Sequence, residues 1–199
     1  MLFGNDGYVV GTTLNTGYLM TSGIDITSSY NFGIGKLGKI DLDLVGTYLA
    51  KLVTEPLPGL GSYDCKGLYG YTCGEPSPTW RHQLRTTWEI PGPNKPTVSL
   101  AWRYFGSVKL SSLSDQTAFD GLTPSIYNRK IKAYNYFDLA STITFANKLT
   151  LRAGVNNLFD KDPPAIAQGI LASFGNGNTY PGVYDPLGRT IFVGATVEF

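Results

Sequence analysis

The sequence is poor in charge. Lys, Arg, Asp and Glu make up 16% of its 199 residues, against roughly 25% in soluble globular chains. An excess of one sign is missing too. Sixteen Lys and Arg against 15 Asp and Glu leave a formal net charge of +1, which removes the basic surplus expected of a nucleic-acid binder. No apolar run reaches about 18 residues, so no membrane-spanning helix is expected. Residues 1–7 hold neither the basic nor the apolar region of an export signal. The chain is therefore expected either not to be exported or not to begin at the true start of its protein. Set against these shortages are 24 Gly, 13 Tyr and 10 Phe, at a mean hydropathy of −0.06. A disordered chain would lack so many aromatics. The composition points to an all-β protein.

Helical periodicity is nearly absent, and alternation with period two recurs in seven segments. In residues 21–32, Ile24, Ile26, Tyr30 and Phe32 oppose Asp25, Thr27 and Asn31. In 40–50, Ile40, Leu42, Leu44 and Tyr48 oppose Asp41, Asp43 and Thr47. In 80–90, Trp80, Leu84, Trp88 and Ile90 oppose Arg81, Gln83, Arg85 and Glu89. Val98, Leu100, Trp102 and Tyr104 oppose Ser99 and Arg103. Phe137, Leu139, Ile143 and Phe145 oppose Asp138, Thr142 and Thr144, and Leu149, Leu151, Ala153 and Val155 oppose Arg152 and Asn156. Ile191, Val193, Ala195, Val197 and Phe199 oppose Thr190, Thr196 and Glu198. Every charge within these segments takes the polar parity. Val45, Leu49, Phe105 and Phe192 break the rule by lying on the polar face.

Alternation alone does not separate a soluble sandwich from a lipid-facing barrel. The connections do. Residues 33–38, 91–96 and 146–148 are tight turns, while 54–79, 106–130 and 157–187 are loops of roughly 25 to 30 residues, beyond the usual range. Short turns at one end and long loops at the other mark an outer-membrane barrel with short periplasmic turns and long extracellular loops. Tyr48, Trp80, Trp102 and Tyr104 fall near the long-loop end, and Tyr30, Phe32, Trp88, Phe145 and Phe199 near the short-turn end, as two aromatic girdles would. Seven strands are counted, with residues 8–12 offering an eighth. An open sheet of that size leaves edges that lipid does not tolerate, and the many charges on the polar face suit a wide lumen. The chain thus reads as antiparallel transmembrane strands, about seven or eight of a larger barrel.

Cys65 and Cys73 lie in a Gly-, Pro- and Tyr-rich loop without metal-site spacing. They fit a disulfide in an oxidising compartment, with two free thiols as the alternative. Signals for chemistry are weak. His82, the single histidine, sits beside Trp80, where a structural role outweighs catalysis. Asp41 and Asp43 share a face but fit lumen lining better than acid–base work. Asp160-Lys161-Asp162 reads as a solvated turn, because the lysine opposes a cation site. Gly175-Asn176-Gly177-Asn178 lacks the Lys-Ser/Thr pair and helix of a phosphate loop. No catalytic residue, metal ligand or cofactor is assigned, and the chain is not expected to be an enzyme.

The C-terminal end carries a family resemblance. Arg152-Ala153-Gly154-Val155 followed by Asn156-Asn157-Leu158-Phe159-Asp160 resembles the penultimate-strand signature of TonB-dependent outer-membrane receptors. Asp185, Pro186, Gly188 and Arg189, ahead of Ile191, resemble the approach to the last strand of that family. Phe199, with Val197, Ala195, Val193 and Ile191 at every second position before it, is similar to the signal read by the barrel assembly machinery. Thr21-Ser22-Gly23-Ile24-Asp25 is similar to a mid-barrel element, and the Cys65–Cys73 loop with Trp80-Arg81-His82 resembles one branch of the family. The likeness runs from about Asn15 onward.

The resemblance implies a 22-stranded barrel, a plug domain and an inner-membrane TonB complex that powers uptake. Residues 1–199 would be the C-terminal part of such a barrel, without plug and first strands, embedded in outer-membrane lipid and reaching TonB only through the whole receptor. The transported ligand would be a siderophore-iron chelate, cobalamin or an oligosaccharide, met by loop aromatics such as Tyr63, Tyr69, Tyr71, Tyr127 and Tyr180, for which loop packing is an equal explanation. A small standalone barrel acting as adhesin or structural protein, and a soluble carbohydrate-binding module, are the alternatives.

Overall fold

The computed structural model describes residues 17–198 apart from 60, 124, 147 and 172–176. Phe199, residues 8–12, Gly175 and Asn176 lie outside the described residues. The strands in chain order are β1 (Tyr18–Gly33), β2 (Lys39–Glu55), β3 (Tyr63–Asp64), β4 (Leu68–Tyr69), β5 (Trp80–Glu89), β6 (Thr97–Phe105), β7 (Val108–Leu110), β8 (Lys130–Ile131), β9 (Tyr134–Phe145), β10 (Leu149–Asn156) and β11 (Thr190–Val197). The seven long strands form one antiparallel meander, β1-β2-β5-β6-β9-β10-β11, with β3 added against β2. Among the described residues β1 and β11 each have one long neighbour, and the sheet is open.

The register carries the sequence parity across the whole sheet. One row reads Phe32, Ile40, Trp88, Val98, Ser141, Ala153 and Val193. The next reads Tyr30, Leu42, Thr86, Leu100, Leu139, Val155 and Ile191. A third runs Ser28, Leu44, Leu84, Trp102 and Phe137. Because side chains alternate along a strand, these rows share one face. The opposite face carries Ser29, Asp43, Arg85, Ala101 and Asp138 in one row. Cross-strand polar pairs knit that face: Ser29 donates to Asp43 at 2.6 Å, Thr47 to Asp25 at 2.8 Å, and Arg85 to Ser99 at 3.3 Å.

The apolar face has no second layer among the described residues. Ile24 is 60% exposed and Val193 80%. A sandwich would bury this face. Among the described residues the buried cluster lies elsewhere, in the three long connections: Tyr69, Val108, Leu110, Ile131, Ile166, Ile170, Leu171, Tyr180 and Tyr184, joined by Tyr136 from β9. Around it β4, β7 and β8 form a second small sheet, β4 parallel and β8 antiparallel to β7.

Two of the four parity breakers have local causes. Phe105 packs against the loop cluster. Phe192 lies over Gly154, where a Cβ would come within 2.5 Å of its ring, so only glycine leaves room. Leu49 keeps the polar parity, paired with Gly23 just before a register shift after Ser22, a β-bulge that re-aims only the residues beyond it. Val45 is exposed on the polar face, and nothing in the described structure explains it.

Candidate functional site

The functional features gather at the long-loop end, where the loops fold over the polar face. Phe105, Tyr134 and Tyr136 take the polar parity of β6 and β9, and all three join the loop cluster. Phe105 and Tyr134 meet Tyr184 at ring-centroid distances of 6.1 and 4.9 Å. The first loop is closed by a Cys65–Cys73 disulfide. Within that loop Asp64 accepts from the amides of Leu52 and Lys66, each at 2.9 Å. Gln116 of the second loop exchanges two hydrogen bonds with the Asp64 backbone, at 2.6 and 2.8 Å. The Tyr69 hydroxyl donates to the carbonyl of Asn128, and Asn128 in turn bonds Ala165 and Ala167 of the third loop. The three loops are thus one assembly.

This assembly separates the candidate tyrosines. Tyr69 and Tyr180 are buried and T-stacked at 6.1 Å, so they hold the loops together. Burial pushes both hydroxyls up to about 12 and raises Tyr184 as well. Tyr63 packs on Phe119 at 5.3 Å. Tyr71 and Tyr127 stay 78% and 68% exposed. Tyr71 also lines a cavity of about 190 Å³ with Thr72, Ser111, Ser112, Leu122, Thr123 and Ser125. No charged side chain lines it.

The residues singled out near the C-terminus come together as a clasp. Arg103 on β6 donates to both carboxylate oxygens of Asp138 on β9, at 2.7 and 2.9 Å, and to Asp185 at 3.4 Å. Its guanidinium lies 5.0 Å from the centre of the Tyr136 ring, and the Tyr136 hydroxyl accepts from the Asp185 amide at 3.3 Å. Asp138 also accepts from the Asn157 amide at 2.8 Å. Asn157 then folds the turn on itself, bonding the Lys161 backbone through both ends of its side-chain amide at 2.8 and 3.0 Å. Asp160 receives the Arg189 amide at 2.8 Å and its guanidinium at 3.6 Å. A Cβ at Gly188 would come within 2.9 Å of that carboxylate. Asn156 bonds Thr190 across the strands at 3.4 Å, and Phe159 meets Phe137 edge-on at 5.5 Å. The Leu158 amide donates to Phe137. Pro186 and Leu187 sit within the same connection, ahead of β11. Its effect is mechanical: it fastens the start of β11 and the third loop to β6 and β9.

The weaker chemical candidates resolve into structural roles. Asp43 accepts from Ser29, and Asp41 pairs with Lys39 at 2.6 Å, so the two carboxylates serve separate partners. Lys161 lies 5.4 Å from the centre of the Tyr134 ring. His82 takes the apolar face. Its Nδ1 accepts from the Trp80 indole at 2.8 Å, with Tyr104 stacked at 5.1 Å and Trp102 edge-on at 4.6 Å. Trp102 donates to Asn135 at 2.8 Å, and at the other end Trp88 donates to the Leu37 carbonyl at 2.8 Å. Each indole therefore has a polar partner beside an apolar ring, the arrangement that suits an interface. Among the described residues no three His, Cys, Asp or Glu side chains gather as metal ligands.

No family model and no curated protein matches the sequence. Solved structures do. A mutant of the ferric enterobactin receptor of Pseudomonas aeruginosa is similar in fold, with a TM-score of 0.57 and 16% identity over 91% of this chain and 22% of the receptor. A mutant of the same receptor in complex with enterobactin gives a TM-score of 0.56 and 17% identity over 91% of this chain and 23% of the receptor. The receptor bound to BCV-L6 gives 0.56 and 16% over the same shares. The chain thus spans about a quarter of the receptor's length or slightly less. These neighbours are transport receptors and not enzymes. At this identity the likeness shows the fold alone: an all-β, antiparallel sheet like part of the β-barrel of these receptors.

Proposed function

We propose that this chain is the C-terminal wall, with its extracellular loops, of an outer-membrane TonB-dependent transporter for a scarce ligand. The observation that carries the reading is the predominantly apolar face, uncovered among the described residues, that runs across all seven long strands, with Trp80, Trp102 and Tyr104 at one end and Trp88 at the other. Lipid is the solvent that tolerates such a face, and aromatic side chains mark its limits. The outer edges of β1 and β11 need partner strands, since unpaired backbone groups in hydrocarbon cost several kcal/mol each. A larger barrel, of 22 strands in the family type, with its plug, supplies them. Ile191, Val193, Ala195 and Val197 on the apolar face support recognition by the barrel assembly machinery. The loop assembly and its clasp form the rim through which a siderophore-iron chelate, cobalamin or an oligosaccharide enters.

Single cysteines placed in the whole protein test this reading on intact cells. Y127C in a long loop reacts with a membrane-impermeant maleimide, and N94C in a short turn reacts only after the outer membrane is opened. Equal labelling of both, or recovery of the protein in the soluble fraction, contradicts it.

A further inference from the structure

The cavity of about 190 Å³ lies where all three long loops meet. The first loop supplies Tyr71 and Thr72, the second four Ser and Thr residues between positions 111 and 125, and the third Ile170. Tyr71 is built into this wall. It stands at the tip of a tight turn that Gly70 and Gly74 close with two backbone hydrogen bonds, of 3.0 and 2.6 Å, inside the ring of the Cys65–Cys73 disulfide. Gly70 has a φ of 122°, a conformation open to glycine. A Cβ there would also come within 2.9 Å of Leu110 and 3.3 Å of the Ser111 hydroxyl. Glycine therefore lets the turn lie against two residues of the cavity itself. The bridge and the turn hold the Tyr71 ring in place, yet it stays 78% exposed. Loop packing accounts for Tyr69 and Tyr180, which are buried, and does not account for Tyr71.

The lining selects a ligand by charge and by size. Five Ser and Thr hydroxyls face the cavity beside the Tyr71 ring, and no charged side chain does. A hydroxyl both donates and accepts, so such a wall suits a partner that is itself rich in hydroxyls. A charged chelate would be desolvated there without a counter-charge, which is costly. Sites that enclose a drug-sized ligand measure about 300 to 1,000 Å³. A space of about 190 Å³ takes one ring of a longer chain and excludes a whole iron chelate or cobalamin. A sugar ring presents hydroxyls at its edge and an apolar C–H face, which matches the hydroxyl wall and the aromatic face in turn. We propose that this cavity binds one ring of a neutral oligosaccharide, stacked on Tyr71, as a capture site on the outer loops. The proposal rests on the transport reading given above and narrows its ligand to neutral sugars.

The test uses the whole protein, purified from outer membranes in a polyoxyethylene detergent so that no detergent sugar competes. Calorimetric titration takes maltohexaose, cellohexaose, xylohexaose and mannohexaose as neutral probes. A galacturonate hexamer, a neutral ferric trihydroxamate and cyanocobalamin form the comparison arms. At least one neutral hexasaccharide binds, and it binds more tightly than the galacturonate hexamer. Y71A weakens that binding about tenfold, whereas Y71F, which keeps the ring, stays within about threefold of wild type. Because Tyr71 is so exposed, Y71A leaves the loops folded, and the Y71F result separates loss of the ring from misfolding. The idea is overturned if none of the four neutral sugars binds, or if Y71A binds the best of them as wild type does. It is equally overturned if the ferric chelate or cyanocobalamin is the ligand whose binding Y71A abolishes. Fractionation is read before any sugar is added. Protein found outside the outer membrane sinks the function proposed above, whereas correct fractionation without sugar binding sinks this site alone.

Discussion

Removing the Arg103 guanidinium should release the clasp while leaving the strands in place. Arg103 makes two short charged hydrogen bonds to Asp138 and one longer contact to Asp185. Hydrogen bonds to charged groups contribute about 1.5 to 3 kcal/mol each when buried. The side chains here keep 26%, 18% and 17% of their exposure, so water takes over part of each bond. Asp138 also keeps the Asn157 amide as a partner. The Arg103→Met loss is then about 2 to 3 kcal/mol for local opening of the clasp. Asp185→Asn, which weakens only the long contact, costs about 1 kcal/mol. Hydrogen exchange on the whole protein in micelles reads this directly. In Arg103→Met the amides of Asn157, Asp185 and Arg189 exchange about 30- to 150-fold faster, while amides of β2 and β5 keep their rates. Unchanged exchange at those three amides refutes the reasoning. So does an Asp185→Asn effect as large as that of Arg103→Met beside an inert Asp138→Asn.

Three further outcomes are expected. Reducing the Cys65–Cys73 bridge, which closes a loop of sequence separation 8, removes about 2.5 kcal/mol of loop stability on chain-entropy grounds; limited proteolysis should then cut within residues 61–79 and spare the strands. Burial holds the Tyr69 and Tyr180 hydroxyls neutral up to about 12, whereas an unfolded loop would ionise them near 10. The folded loops bind more protons across that window, so their stability is full below about pH 10 and falls, by about 1.4 kcal/mol per pH unit for each tyrosine at most, up to about pH 12; tyrosinate absorbance should show late-titrating residues, and titration of all tyrosines near 10 with the loops intact contradicts this. Gly154→Val drives a side chain into the Phe192 ring at a cost of about 1 to 3 kcal/mol; heat-dependent gel mobility should shift to lower temperature and recover in part when Phe192→Ala is added.

The long strands were legible because a sheet with two unlike faces writes period two into the chain. Residues 149–156 mark β10 at both ends, and β1 and β2 extend a few residues further than their alternation suggested. β3, β4, β7 and β8 were not legible, since two or three residues contain no period. Phe105 shows the same limit from the other side. It broke the parity because its partner Tyr184 lies some eighty residues away in another loop, and only the folded loops bring the two together. The motif residues Asn157, Asp160, Asp185 and Arg189 stood out in the sequence, and Arg103 and Asp138 stood out as charges on the polar face. That these belong to one clasp required the register of β6 with β9. Tyr69 and Tyr71 differ in the opposite way: their sequences look alike, yet one is buried and the other exposed.

The central claim is that the apolar face meets lipid and the polar face meets water. Nitroxide labels at consecutive positions 83 to 88 of β5, read in the whole protein in bilayers by collision with oxygen and with a water-soluble nickel chelate, test it most directly. Positions 84, 86 and 88 should favour oxygen and 83, 85 and 87 the chelate, alternating residue by residue. Access of the chelate to both sets, or no alternation at all, would contradict the account.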